Sequence, residues 1–173
     1  DFTGITETSP NDHEQTMLQQ AVKDDCWDVM MLGFNMMHQV ARDAVLPHTM
    51  ERGIGTLMMF VVRNVFSVAG RLQTTMKDLA ADGKVPDWLA HSDDPLGFLV
   101  HEGGADSVIE AAYRYVRHEP GADVVLFGTG RTEHLDANIA SILKPPLPAA
   151  DRAKLAELFG HLRGVGLDLP GPG

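Results

Sequence analysis

The chain has 173 residues, enough for one domain with a substantial core, and 44% hydrophobic against 22% charged residues is an ordinary soluble globular composition. Twenty-four acidic and fourteen basic residues leave a formal charge of −10, so neither nucleic acid nor an anionic membrane is an expected partner. Cys26 is the single cysteine, which excludes an intrachain disulfide; with no apolar run near about 20 residues and no signal-like opening, a cytoplasmic setting is expected.

The chain opens at Asp1 and reaches a strand-like segment almost at once, which reads as a piece of something longer. Apolar runs predict strands at residues 3–7, 27–34, 56–62 and 123–127. The last three are continuously apolar rather than alternating, the pattern of parallel strands covered on both faces. A helical pattern follows each run. Asn11 or Asp12 is placed to cap a helix carrying Met17, Leu18, Ala21 and Val22, and capping rather than metal binding is the reading of "NDHE". Next come Val40, Ala41, Ala44 and Val45, a break at Pro47 and a short turn ending at Gly53. After the third run, Leu72, Met76 and Leu79 mark one helix. Ile109, Ala112, Tyr113 and Val116 mark another, closed by "EPGA". After the fourth, Leu135, Ile139 and Ile142 line one face, and a terminal helix over residues 149–162 carries Leu155, Leu158, Phe159 and Leu162.

Four βα pairs with extra helix imply an α/β fold with a parallel sheet and right-handed crossovers. Residues 83–104 fit neither a strand nor a long helix. They read as an insertion on the side where βα loops shape a site, or as a surface excursion without function. The Gly/Pro-rich residues 163–173 are expected to form a flexible tail.

Gly128-Thr129-Gly130 lies between a strand and a helix. A helix N-terminus offers unpaired N–H groups and partial positive charge, which suits a phosphate. Thr129 adds a hydroxyl and Arg131 a guanidinium, while His134 and Asn138 share a helix face. Together they suit the phosphates and adenosine end of a nucleotide; the alternative is a plain tight turn with Thr132 as N-cap. The loop is not a Rossmann fingerprint, because the third glycine and a later acidic ribose ligand are lacking. The eight histidines show no HxH, HxxxH or HExxH spacing, so no metal site is expected. Cys26, at a strand entrance, reads as a small core residue. Tyr113 and Tyr115 share one amphipathic helix and read as packing residues, so no catalytic residue is assigned.

The segment "YRYVRHEPGADVVLFGTGRTEHLDANIASILKPPLP" is similar to the closing block of the aldo/keto reductase family. "ERGIGTLMMFVVR" and "WDVMMLGFNMM" resemble that family's seventh- and sixth-strand segments, and the resemblance runs from "GITE" to "LAELFG". It implies a parallel (β/α)8 barrel of the TIM type. Residues 1–162 then form the C-terminal (β/α)4 half, strands five to eight, plus a terminal helix, with the site at the C-terminal strand ends. It also implies an oxidoreductase that uses NADP(H) or NAD(H) to reduce a small aldehyde or ketone to an alcohol. By the same resemblance, Thr6 and Glu7 stand where Ser-Asn holds the nicotinamide amide, Phe34 where an aromatic stacks on its ring, and Met31 where Gln is frequent. Gly128, Thr129 and Gly130 match the phosphate-binding turn, with Arg131 beside it. His134 matches an Arg that pairs with the 2′-phosphate, Asn138 matches an adenine contact, and Ala137 replaces a Glu.

The family's reactive Asp, Tyr, Lys and His lie on the first four strands, which this chain does not carry. One reading is therefore the cofactor-binding wall of a reductase, completed by an N-terminal half-barrel or by self-association. The other is a non-catalytic half-barrel acting as a cofactor-binding regulatory or interaction subunit. In either case, Met30, Leu32, Met58, Phe60, Val125 and Phe127 are expected to include residues turned toward the absent half.

Overall fold

The computed structural model describes residues 2–7 and 11–167. Within them β1 (Gly4–Thr6), β2 (Val29–Gly33), β3 (Gly55–Met59) and β4 (Val124–Val125) form one parallel sheet in the order β1-β2-β3-β4. Each expected apolar run thus overlaps a shorter strand, β3 beginning one residue ahead of its run. Parallel neighbours need a crossover, and helices supply each one. α1 (Thr16–Ala21) joins β1 to β2, and α2 (Ala41–Ala44) with α3 (Leu46–Arg52) joins β2 to β3. α4 (Asn64–Ser67), α5 (Arg71–Ala81), α6 (Asp87–Ala90) and α7 (Val108–Arg117) lie between β3 and β4, and α8 (Thr132–Leu143) and α9 (Ala149–Phe159) follow.

Asp12 caps α1 as expected: its two carboxylate oxygens accept from the N–H groups of Thr16 (2.9 Å) and Met17 (3.0 Å). Pro47 does not break structure but sits in the first turn of α3, where its missing N–H costs nothing. The segment before Gly53 is therefore a helix rather than a short turn.

Register decides which side of the sheet is covered. Met30 pairs with Thr56, Leu32 with Met58, and Met58 with Val125. These side chains lie on one face, buried in the same core as Leu18, Met76 and Val116. The other face carries Thr6, Met31, Leu57, Met59 and Val124, which are half-buried or exposed. Met30, Leu32, Met58 and Val125 therefore do not face an absent half. A continuous apolar run gives no parity, and here the opposite parity is the uncovered one. On α8, Leu135 and Ile139 are also exposed and Leu143 is 78% exposed, whereas Ile142 packs on the core.

Residues 83–104 carry α6 and a 3-10 turn at Gly97–Leu99 and place Val85, Leu89, Leu96 and Leu99 in the core. Lys154 of α9 lies 4.2 Å from the Phe98 ring centre, and His101 pairs with Asp151 at 2.9 Å. The segment braces α9 through these contacts instead of standing free. Cys26 is exposed in the turn before β2 and is not a core residue.

The tail divides. Residues 168–173 lie outside the described residues, but residues 163–167 are packed, contrary to the expected flexibility. Asn35 Nδ2 donates to the carbonyls of Val165 (3.4 Å) and Gly166 (3.2 Å), Gly164 N–H donates to His38 Nδ1 (3.2 Å), and Leu167 is 2% exposed. Gly/Pro composition signals turns, and turns pack when polar side chains take up their backbone groups.

Candidate functional site at the strand ends

All four strands run the same way, so their C-terminal ends share one edge of the sheet, about 14 Å across at strand spacings of about 4.8 Å. At one end of this edge, β1 delivers Thr6 and Glu7. Thr6 is exposed on the uncovered face opposite Met31. Glu7 is turned inward and is 6% exposed. Its Oε2 accepts from Gly33 N–H (2.8 Å) and from Gln15 Nε2 (3.2 Å), while Gln15 Nε2 also donates to Gly33 O (2.7 Å). Among the described residues, Glu7 Oε1 and Gln15 Oε1 are both buried without a hydrogen-bond partner. Burial pushes the Glu7 carboxyl above its ordinary range, outweighing the bonds from Gly33 and Gln15 that favour the anion; the nearby Asp12 charge adds to the rise.

The aromatic at this edge is not Phe34. Phe34 is 0% exposed on the helix side, stacked on Tyr115 with ring centres 6.1 Å apart, and the Arg42 guanidinium lies 5.5 Å from each ring centre. Its faces are used by the core, so it offers none to a ligand. Phe60 offers one. Its backbone has φ 64°, a left-handed conformation that is strained for an aromatic residue. The ring lies over Gly33 on the uncovered side, so close that a Cβ on Gly33 would stand 2.8 Å from Phe60 Cδ2. Arg63 stacks on the same ring, 5.0 Å from its centre. The run "TLMMFVV" gives no sign of this reversal.

At the other end of the edge, β4 leads into Gly128, Thr129, Gly130 and Arg131, all exposed. A Cβ on Gly128 or Gly130 would meet nothing within 4 Å, so the loop leaves its backbone open. Thr129 Oγ1 accepts from Arg131 N–H (3.2 Å). The N-cap of α8 falls on Arg131, not Thr132, and no side chain caps the helix. Its first N–H groups and its dipole therefore point at open space. Arg131 pairs loosely with Glu133 (3.8 Å), an exposed contact that water screens. His134 is exposed one turn below the loop. Asn138, on the same helix face, is 9% exposed and points away from solvent.

Other polar groups behind this edge escaped the sequence reading. Asn35 Oδ1 accepts from Met37 N–H (2.8 Å) and His38 N–H (2.9 Å). Burial, aided by the charges of His13 and Arg163, pushes His38 down to about 4, so it stays neutral and its Nδ1 accepts from Gly164. The one signal was a polar residue, Asn35, directly after an apolar strand. Tyr113 and Tyr115 pack as expected: Tyr113 meets Phe127 edge-on at 5.7 Å, Tyr115 accepts from Arg42 (2.9 Å), and burial pushes both phenols up. Among the described residues, no three His, Cys, Asp or Glu converge on a metal position, and no helix is long and apolar enough to cross a membrane.

A model of the aldo/keto reductase family matches residues 3–159. The chain belongs to the aldo/keto reductase family. Members are generally NAD(P)H-dependent oxidoreductases. Among solved structures, this aldo/keto reductase family chain is similar to the aldo-keto reductase AKR11C1 from Bacillus halodurans in its holo and apo forms. Both match at 16% identity with a TM-score of 0.57, covering 96% of this chain and 53% or 54% of that one. The likeness carries the fold, and the chain spans about half the length of these relatives. No curated protein matches it. The four-stranded parallel α/β sheet thus matches about half of a (β/α)8 barrel.

Proposed function

We propose that this chain is the cofactor-binding wall of an NAD(P)H-dependent reductase that converts an aldehyde or ketone to an alcohol. The observation that carries the reading is the open Gly128–Gly130 loop at the uncapped start of α8, on the same sheet edge as Thr6 and Phe60. A dinucleotide fits this edge in two parts. The loop N–H groups, Thr129, Arg131 and His134 take phosphate, and Phe60 with Thr6 takes the nicotinamide end. When bound, the reduced nicotinamide supplies hydride to the carbonyl carbon. The chain's own residues bind and orient it: Phe60 gives a ring face, Met31 and Met59 an apolar wall, and Thr6 an exposed hydroxyl. No residue of these 173 is assigned as the proton donor.

The loop is tested with adenosine 2′,5′-bisphosphate, which has the phosphates and no nicotinamide. Arg131→Ala and His134→Ala are each expected to weaken it about two- to fivefold at low salt, as for exposed charges near a helix start. Calorimetric titration that finds no change in either variant removes phosphate from this loop.

The edges of β1 and β4, unpaired among the described residues, the half-open face and Leu135, Ile139 and Leu143 support association with a second parallel βα unit. Sedimentation at micromolar concentration is expected to show species heavier than one chain. A compact, cooperatively melting monomer contradicts this.

The second reading, a non-catalytic half-barrel in a regulatory or interaction role, is favoured by Glu7. Its Oε2 is engaged by Gly33 and Gln15 and the residue is 6% exposed, where the resemblance implies an open amide beside the nicotinamide.

A further inference from the structure

Leu167 and the Phe60 ring both crowd the space above Gly33. A Cβ on Gly33 would stand 3.3 Å from Leu167 Cδ2, 3.4 Å from Glu7 Oε2 and 2.8 Å from Phe60 Cδ2, so all three groups converge above Gly33. The segment that brings Leu167 there packs through Val165 and the 2% exposed Leu167, and its hydrogen bonds and ion pairs to the rest of the fold come from a small set of side chains. Arg163 pairs with Glu14 at the surface (3.0 Å). Gly164 donates to His38, and the His13 ring lies against it, 2.6 Å from where a Cβ would stand. Asn35 spreads one amide nitrogen over the carbonyls of Phe60, Val165 and Gly166, all at 3.2 Å or longer. Gly164 and Gly166 both have φ 73°, which glycine reaches without strain. A cavity of about 270 Å³ opens beside Val165 and Gly166, lined also by Val65, Thr74 and Asp78. Glu7 Oε2 reaches this spot, and the Glu7–Gln15 pair behind it holds two buried acceptors, Glu7 Oε1 and Gln15 Oε1, without a partner among the described residues. Unsatisfied buried acceptors mark a state that a donor from outside improves.

We infer that residues 163–167 form a displaceable strap over the strand ends, and that Leu167 and a planar ring ligand exclude one another above Gly33. The inference rests on the reading that this edge takes a nicotinamide ring, and it assigns that site a regulation. With the strap down, the ring face of Phe60 and the Glu7–Gln15 acceptors are covered. With the strap raised, both open to the mouth of the site, and an amide or other N–H group of the ligand meets the two acceptors. Occupancy of the strap sets the fraction of molecules competent to bind, so apparent affinity falls by that fraction.

Two measurements test the strap. The first needs no ligand. Hydrogen exchange at the Gly164 amide, bonded to His38, is expected to proceed through a local opening about 100-fold more frequent than at the β2 amides. Equal protection at both overturns the strap as a displaceable element. The second compares the full chain, a chain ended after Leu162 and a full-length Leu167→Ala variant, titrated with nicotinamide mononucleotide and observed through the methyl signals of Met31 and Met59. Both altered chains are expected to bind about tenfold more tightly, as for a competent state populated near one-tenth. Affinity for adenosine 2′,5′-bisphosphate is expected to stay unchanged in all three. Equal affinity of all three chains for the mononucleotide overturns the mutual exclusion. Should none bind the mononucleotide, the nicotinamide reading is what fails, and the exchange measurement alone decides the strap.

Discussion

Replacing Arg114 with alanine is expected to lower the unfolding free energy by about 3–5 kcal/mol, the range for breaking a buried ion pair by removing one partner. Arg114 is 4% exposed in α7. Its guanidinium donates to Glu110 Oε1 (2.9 Å) and Gly104 O (2.7 Å), and also to Pro145 O (2.8 Å) and Pro146 O (3.2 Å). One side chain therefore joins the end of the 83–104 segment, α7 and the exit from α8. Alanine strands three carbonyls and leaves the buried Glu110 with Lys144 as its remaining cation. Arg114→Lys is expected to recover little, since an ammonium cannot span this fork of acceptors. Urea titration reads the effect as a fall in midpoint at constant slope. A loss below about 1 kcal/mol would show that the clamp is incidental.

Glu7→Gln is expected to stabilise the chain at pH 8 and to change little at pH 4. The folded-state pKa of Glu7 lies above its ordinary value of 4.5, mainly through burial. Between those values the native state holds a proton that the unfolded chain has lost, so wild-type stability is fully present below 4.5 and declines as pH rises through the folded value. Glutamine removes that decline. Its carbonyl keeps the bonds from Gly33 and Gln15, and its amide N–H₂ offers a donor to the unpartnered Gln15 Oε1. A gain of about 1–3 kcal/mol is the scale for relieving a buried unsatisfied group. At about 2–4 °C per kcal/mol, that appears as a rise of several degrees in Tm at pH 8. A variant less stable than wild type at pH 8 would show that the carboxylate is tolerated as an anion.

The strands were legible because buried parallel strands are continuously apolar, and "WDVMMLGF" and "TLMMFVV" have no other ready use. The same continuity hid their parity. Nothing in "MML" distinguishes Met30, under the helices, from Met31 on the open side; pairing register makes that choice. Phe34 and Phe60 illustrate the limit. Both end an apolar strand, and the resemblance alone favoured Phe34. A single left-handed φ at Phe60 turns its ring across Gly33, while Phe34 continues the covered face into the Tyr115 stack. The open turn before α8 was legible because glycines before a helix have a local meaning. The Glu7–Gln15 pair and the strap were not, because each joins residues far apart in the chain, and composition records only that residues 163–167 are rich in glycine.

Strand order here equals chain order, and that bears on how the protein forms. Each strand, on leaving the ribosome, finds its sheet neighbour already made, and no strand waits for a later one to fill a gap beside it. Pairing is thus confined to consecutive βα units, which keeps loop closures short for a parallel sheet and favours rapid folding. The longest closure is the last one. β3 and β4 are separated by α4, α5, α6 and α7, and their ladder joins only Leu57 to Val124 and Met58 to Val125. The Gly128–Gly130 loop hangs from that final, shortest strand, so the nascent chain completes this edge only after the rest of the sheet has formed.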